Sequence, residues 1–154
     1  MANTIWKETG NKELCSTIYY LNKCLNAVDW FYEIELPDIF DVEHPIGTIM
    51  GRGQYSNRFI FYQGCTVGGS INGGITYYPK MGEYLTMYAN STILGDCTIG
   101  ENVVLASRTL VKNQDVPPNS IVYGESPDLI IKEKNEGEMR MFAEAAWKFK
   151  GDNK

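Results

Sequence analysis

Histidine occurs once in this chain, at His44, so any chemistry that needs an imidazole near neutral pH must use that side chain. Positive charge is also scarce: 14 Lys and Arg stand against 19 Asp and Glu, leaving a net charge of -5. A nucleic-acid surface draws its affinity from clustered Lys and Arg, so no nucleic-acid partner is expected. No uninterrupted apolar run approaches the ~20 residues that span a bilayer. The opening MANTIWKETGNKE has no secretory h-region, so no membrane span and a cytoplasmic location are expected. The four cysteines form no CxxC pair, and the expectation is four structural free thiols, with no metal and no disulfide.

What is present is a period. From Met81 to Val111 the chain divides every six residues into MGEYLT, MYANST, ILGDCT, IGENVV and LASRTL. Met81, Met87, Ile93, Ile99, Leu105 and Val111 open the blocks, and Leu85, Ser91, Cys97, Val103 and Thr109 hold the fifth place. An amphipathic helix needs apolar residues three and four apart, and a simple strand needs alternation, so neither fits. A short fixed period is the mark of a solenoid whose stacked repeats bury one column. Upstream, the same frame pairs Trp30 with Ile34, Leu36 with Phe40, Val42 with Ile46, Tyr55 with Phe59 and Phe61 with Cys65.

The period breaks twice. Between Val42 and Met50 it stretches, and the stretched coil contains EHPIG with His44. Over 70–80 it is lost in SINGGITYYPK, whose Asn-Gly-Gly and Tyr-Pro read as an extruded loop. The chemistry is expected where these two breaks meet. Before the repeat, Leu14, Ile18, Leu21 and Leu25, with Cys24 beside them, form the stripe of one amphipathic helix that caps the coil column. After it, Met139, Phe142, Ala146 and Phe149 form the stripe of a short helix, with Trp147 off it. The expected organisation is a helical cap over 1–27, a repeat domain over 28–131, and a linker with a C-terminal helix over 132–154.

These residues resemble the hexapeptide-repeat acyltransferases, and most closely the serine O-acetyltransferases. The marks are Val28-Asp29 ahead of His44-Pro-Ile-Gly, then QGCTVGG, the loop ending in YYPKM, the repeat ILGDCTIGENV and the exit DVPPNSIVYGESPDLII. The resemblance implies an all-β core built as a left-handed parallel β-helix, with a short N-terminal helix and a C-terminal helix. It also implies acetyl-CoA as co-substrate, no metal, and a homotrimer with active sites between subunits. Carried over position by position, His44 matches the general base and Asp29 the carboxylate that orients it. Gly68 and Gly69 match the turn where a backbone N–H can meet the oxyanion, the alternative being a plain loop-entry turn. Ala89 and Ser107 match the small corners along which the pantetheine arm lies, although Tyr88 and Ala106 depart from the glycine corners common there. Lys112 could meet a CoA phosphate.

On the acceptor side the resemblance weakens. The family carries an Arg-His pair at the end of the loop, where this chain has Tyr77 and Tyr78, and a long helical N-terminal domain that is not matched here. Glu43 keeps an acidic residue beside His44. Loss of the carboxylate clamp and gain of two aromatics point to a hydroxylated sugar acceptor of surface-polysaccharide assembly, since Tyr faces stack on sugar rings. Serine is the alternative, with Arg52 or Arg58 as a displaced clamp. A non-catalytic β-helix scaffold that binds a sugar or a partner protein is the third.

Overall fold

The computed structural model describes residues 1–139. The chain winds as a β-solenoid of about five turns, of the left-handed parallel β-helix class. Each turn lays down three short strands in the order face A, face B, face C. Face A stacks Asp29–Trp30, Ile49–Met50, Thr66–Gly68, Thr92–Leu94 and Leu110–Lys112, all parallel. Face C stacks Phe40–Val42, Phe59–Phe61, Thr86–Met87, Val104–Leu105 and Ser120–Tyr123. Face B is thinner, with Lys80–Met81 on Thr98–Ile99 and single bridges to Gln54 and Val116. Ile130–Glu133 closes face C by an antiparallel pairing with Ser120–Tyr123. A short helix begins over 136–139, and the expected stripe at Phe142, Ala146 and Phe149, with Trp147, lies outside the described residues.

The six-residue period becomes this geometry because every block supplies one strand and one corner. Met50, Val67, Ile93 and Val111 are in register on face A, and Phe61, Met87, Leu105 and Val122 on face C, all eight fully buried. Leu85, Ser91, Cys97, Val103 and Thr109 are buried at the fifth places. The frame slips at one point. Ile46, assigned inward, is 67% exposed, and Thr48 takes the buried place instead. Thr48 is satisfied there, its hydroxyl donating to the Pro45 carbonyl at 2.8 Å and accepting from Trp30 Nε1 at 2.8 Å.

Two residues before each strand of face A the backbone is left-handed: Ala27, Gly47, Gly64, Asn90 and Arg108 have φ of 53°, 75°, 65°, 62° and 65°, and His44, in the stretched coil, adds a further such residue at 52°. Glycine tolerates that region best, but a corner repeated every turn forces other residues into it.

Two helices lie at the first coil. The spacing predicts one helix; the structure has α1 (Ala2–Thr9) as well as α2 (Lys12–Asn26). The signal was present in Gly10, which ends α1 at φ 62°, and in Asn11, whose side chain accepts the Leu14 N–H as an N-cap. The face of α2 also differs from expectation. Leu14, Leu21 and Leu25 are 44%, 56% and 71% exposed and Cys24 is exposed, while Cys15 is buried and Tyr19 turns toward the coil. Aromatic packing decides the rotation: Tyr19 meets Phe31 and Tyr32 edge-on at 6.0 and 6.1 Å, and Trp6 meets Tyr32 at 5.5 Å. Among the described residues no helix is long and apolar enough to cross a membrane.

All four cysteines are free, and Cys15, Cys65 and Cys97 are buried. Burial pushes the Cys97 thiol up to about 12, with Asp115 and Asp96 adding to it. Titration of the folded protein with a disulfide reagent should therefore give one fast thiol, Cys24, and three that react only on denaturation. A second fast thiol, or a loss of the fast phase that does not follow Cys24→Ser, would contradict this burial pattern.

Candidate active site

His44 stands in the stretched corner between faces C and A. Six residues separate Val42 from Ile49, whereas four separate their partners Phe61 and Thr66 in the next coil. The extra pair bulges outward, held by backbone bonds from Ile46 N–H to the His44 carbonyl (2.7 Å) and from Gly47 N–H to the Ala27 carbonyl (2.7 Å). The His44 ring is exposed and, among the described residues, has no side-chain hydrogen bond or ion pair. Both ring nitrogens are therefore available to a substrate. Glu43 is exposed beside it. On the same edge Tyr62 and Tyr88 pack ring on ring at 5.1 Å. Burial raises the Tyr62 phenol, with Tyr88, Glu43 and Asp41 adding to the shift. These two tyrosines were missed as neighbours of His44, because each follows an inward residue whose coil partner only the register reveals.

Asp29 is brought to the same edge by backbone pairing, its N–H donating to the Thr48 carbonyl at 2.8 Å. Its carboxylate, however, does not bond His44. One oxygen accepts from the Tyr19 hydroxyl, and the other from Lys23 Nζ at 2.7 Å. Tyr19 is raised, by burial first and then by Asp29; Lys23 is raised chiefly by its hydrogen bond to Asp29. The expected Asp29–His44 pair is thus replaced, in the single chain, by a contact that ties α2 to the first coil. The rotation of α2 that turns Tyr19 toward the coil is the cause.

The second break is a β-hairpin at the corner between faces A and B. Ser70–Asn72 pairs antiparallel with Ile75–Tyr77 around Gly73 and Gly74, both at positive φ (56° and 79°), the geometry of a two-residue primed turn. Gly69 lets the hairpin leave the coil: a Cβ there would come within 2.8 Å of Tyr78 and 2.9 Å of Thr76. Gly68 is less constrained, with only Leu94 at 3.4 Å from such an atom, and its carbonyl accepts the Gly95 N–H at 3.0 Å. Beneath the hairpin lies a cavity of about 740 Å³ whose lining includes Tyr77, Tyr78, Glu33, Arg52, Lys80 and Asp96. His44 does not line it.

The two breaks do not meet within one chain. His44, Ala89 and Ser107 lie along the C–A corner, where face A begins. Gly69, Tyr77, Tyr78 and Lys112 lie at its far end. The five steps from Ser107 to Lys112 advance ~3.3 Å each along the strand, roughly 16 Å in all. Ala89 and Ser107 leave small corners, while Tyr88 turns its ring onto Tyr62. Exposed Lys112 borders a smaller recess of about 280 Å³ with Gln114, whose buried Oε1 has no partner among the described residues.

This architecture is a hexapeptide-repeat parallel β-helix, the fold of the acyltransferases that the chain is similar to. Within that class the chain is close to the serine acetyltransferases. It is 27% identical to serine acetyltransferase 2 of Arabidopsis thaliana over 151 residues, covering 97% of this chain and 46% of the relative. It is 30% identical to the serine acetyltransferase of Staphylococcus xylosus over 93 residues, 60% of this chain and 42% of the relative. The crystal structure of Neisseria gonorrhoeae serine acetyltransferase superposes with a TM-score of 0.77 at 25% identity, over 91% of this chain and 54% of that one. A serine acetyltransferase in complex with CoA shares the fold, with a TM-score of 0.71 at 20% identity over 85% of this chain and 52% of that one. The chain spans about half the length of the relatives it matches. No family model matches it.

Proposed function

We propose that the chain is an acetyl-CoA-dependent O-acetyltransferase whose acceptor is serine or a close hydroxy amino acid. The observation that carries this reading is the likeness to serine acetyltransferases along 97% of the chain, with His44 on an exposed, stretched corner. The sugar acceptor favoured by Tyr77 and Tyr78 finds no counterpart among these relatives, and serine takes its place. In the reaction the His44 imidazole removes the acceptor hydroxyl proton as that oxygen attacks the thioester carbonyl. The C–S bond then breaks, and the CoA thiolate takes the proton back from the imidazolium. Gly68 and Gly69 offer backbone to the oxyanion, Ala89 and Ser107 the groove for the pantetheine arm, and Lys112 a charge for a phosphate. Glu43, Tyr77 and Tyr78 border the acceptor.

Because His44 and the hairpin lie on opposite edges of face A, a complete site needs a second chain placed edge to edge. A head-to-tail contact of this kind closes into a ring, here a trimer. Apolar side chains are exposed on both edges: Ile46 and Ile49 near His44 at 67% and 44%, Ile71 and Ile75 on the hairpin at 75% and 58%. The test is thiol release from acetyl-CoA with serine, homoserine and nucleotide-linked sugars. Serine should turn over, and mixing His44→Ala chains with chains lacking the hairpin should restore part of the activity that each lacks alone. Turnover of a sugar but not of serine would overturn the acceptor. Binding without turnover of any acceptor would favour the scaffold.

A further inference from the structure

Two arginines were candidates for a displaced carboxylate clamp, and the structure separates them. Arg58 turns away at the corner between faces B and C, where it pairs with Glu83 at 3.5 Å and stacks over Tyr84 at 4.8 Å. Arg52 lines the cavity under the hairpin, its guanidinium 4.8 Å above the Phe31 ring and its Nη2 2.6 Å from Glu33 Oε2. Hydrogen bonding to Glu33, with Tyr78 as a lesser partner, holds this guanidinium charged against some desolvation. A guanidinium has five N–H donors in a planar fork, so Glu33 and Tyr78 leave part of the fork unused. Two further charges of opposite sign line the same cavity: among the described residues neither Lys80 Nζ nor the Asp96 carboxylate has a side-chain hydrogen bond or salt bridge. Glu35, by contrast, is engaged by Lys7 at 3.0 Å.

We infer that this cavity is the acceptor subsite for a zwitterionic amino acid, with Arg52 fixing the carboxylate, Lys80 assisting it, and Asp96 with Glu33 receiving the ammonium. A neutral sugar ring would neutralise neither of these exposed charges. An α-amino acid satisfies one with each of its ends, and Tyr77 and Tyr78 border the space without having to supply the charge themselves. Arg52 therefore replaces, from the coil below, the clamp that the two tyrosines cannot provide. Phe31 and Glu33 hold it in place, so its fork is oriented before the acceptor arrives. The inference rests on the O-acetyltransferase reading above for its place in a reaction, but the binding it describes can be measured without turnover.

The experiment compares the unmodified protein with Arg52→Ala, Arg52→Lys and Arg58→Ala, using serine and serinamide as acceptors and acetyl-CoA as donor. Arg52→Ala should raise the KM for serine roughly 10- to 100-fold, the range of a lost charge-assisted hydrogen bond. The KM for acetyl-CoA should stay where it was, and Arg52→Lys should recover part of the loss. Serinamide, which has no carboxylate, should be a poor acceptor that is insensitive to Arg52→Ala, and Arg58→Ala should behave as the unmodified protein. The Arg52–Glu33 pair is half-exposed, so its loss should leave the melting temperature nearly unchanged. An unchanged serine KM in Arg52→Ala, or equal use of serine and serinamide, overturns the assignment. If no acceptor turns over, the O-acetyltransferase reading fails, and calorimetry with serine decides the subsite. Binding lost in Arg52→Ala sustains it; absent or unaltered binding overturns it.

Discussion

Replacement of His44 by alanine should lower kcat/KM for acetyl transfer by roughly 10²–10⁴-fold, the usual contribution of a positioned general base. The fold should survive, because the ring is exposed and makes no hydrogen bond or ion pair among the described residues. One structural effect must be separated from the chemical one. His44 sits at φ 52°, where any residue with a Cβ is strained, and asparagine tolerates that region better than alanine. His44→Asn therefore keeps the corner while removing the base. It should be as inactive as His44→Ala and melt at the same temperature as the unmodified protein. Turnover retained in His44→Asn would remove the imidazole from the mechanism, whatever happened to the alanine variant. The regular left-handed corner of this coil is Gly47, in series with Ala27, Asn90 and Arg108, so the positive φ of His44 belongs to the stretched bulge and not to the repeat.

The second large effect concerns the column itself. Phe61 is fully buried on face C, 5.0 Å from Phe59 and 5.5 Å from Trp30 by ring centroids. Truncation to alanine should destabilise by about 3–5 kcal/mol, from lost burial together with the cavity left behind. That is a large part of the ~5–15 kcal/mol that holds a domain folded. The melting temperature should fall by about 10 °C. Thermal denaturation followed by circular dichroism checks this, with Phe61→Leu as the milder comparison. A solenoid has no alternative core to absorb the loss, since each coil contacts only its neighbours. The same change at Tyr62, one residue on and facing outward, should cost far less. Equal losses at Phe61 and Tyr62 would mean that the inward and outward positions are misassigned.

The residues that were legible in the sequence are those whose position follows from counting. The six-residue period assigned Met87, Ile93, Ile99 and Leu105 inward, and the structure buries all four. The stretch at His44 was legible for the same reason: extra residues in a coil have nowhere to go but outward. Counting failed where side chains choose among partners. The apolar stripe of α2 predicted Leu21 and Leu25 against the coil, but the aromatic group of Phe31 and Tyr32 attracts Tyr19 instead and leaves the leucines exposed. That rotation carries the Tyr19 hydroxyl and Lys23 to Asp29, and so decides which group the carboxylate meets. The choice between Arg52 and Arg58 was likewise closed to sequence reasoning, since the two lie six residues apart and only the fold sends them to different corners.

By itself, then, the sequence determined the solenoid, its inward column and the two places where the coil departs from its period, because a repeat of six fixes burial residue by residue. Tertiary structure decided how those departures stand to one another. His44 precedes a strand of face A and the hairpin follows one, and an extended strand cannot fold back on itself to close that gap. The two halves of the proposed site are therefore held apart along one rigid face, and the proposed contact between chains would join them.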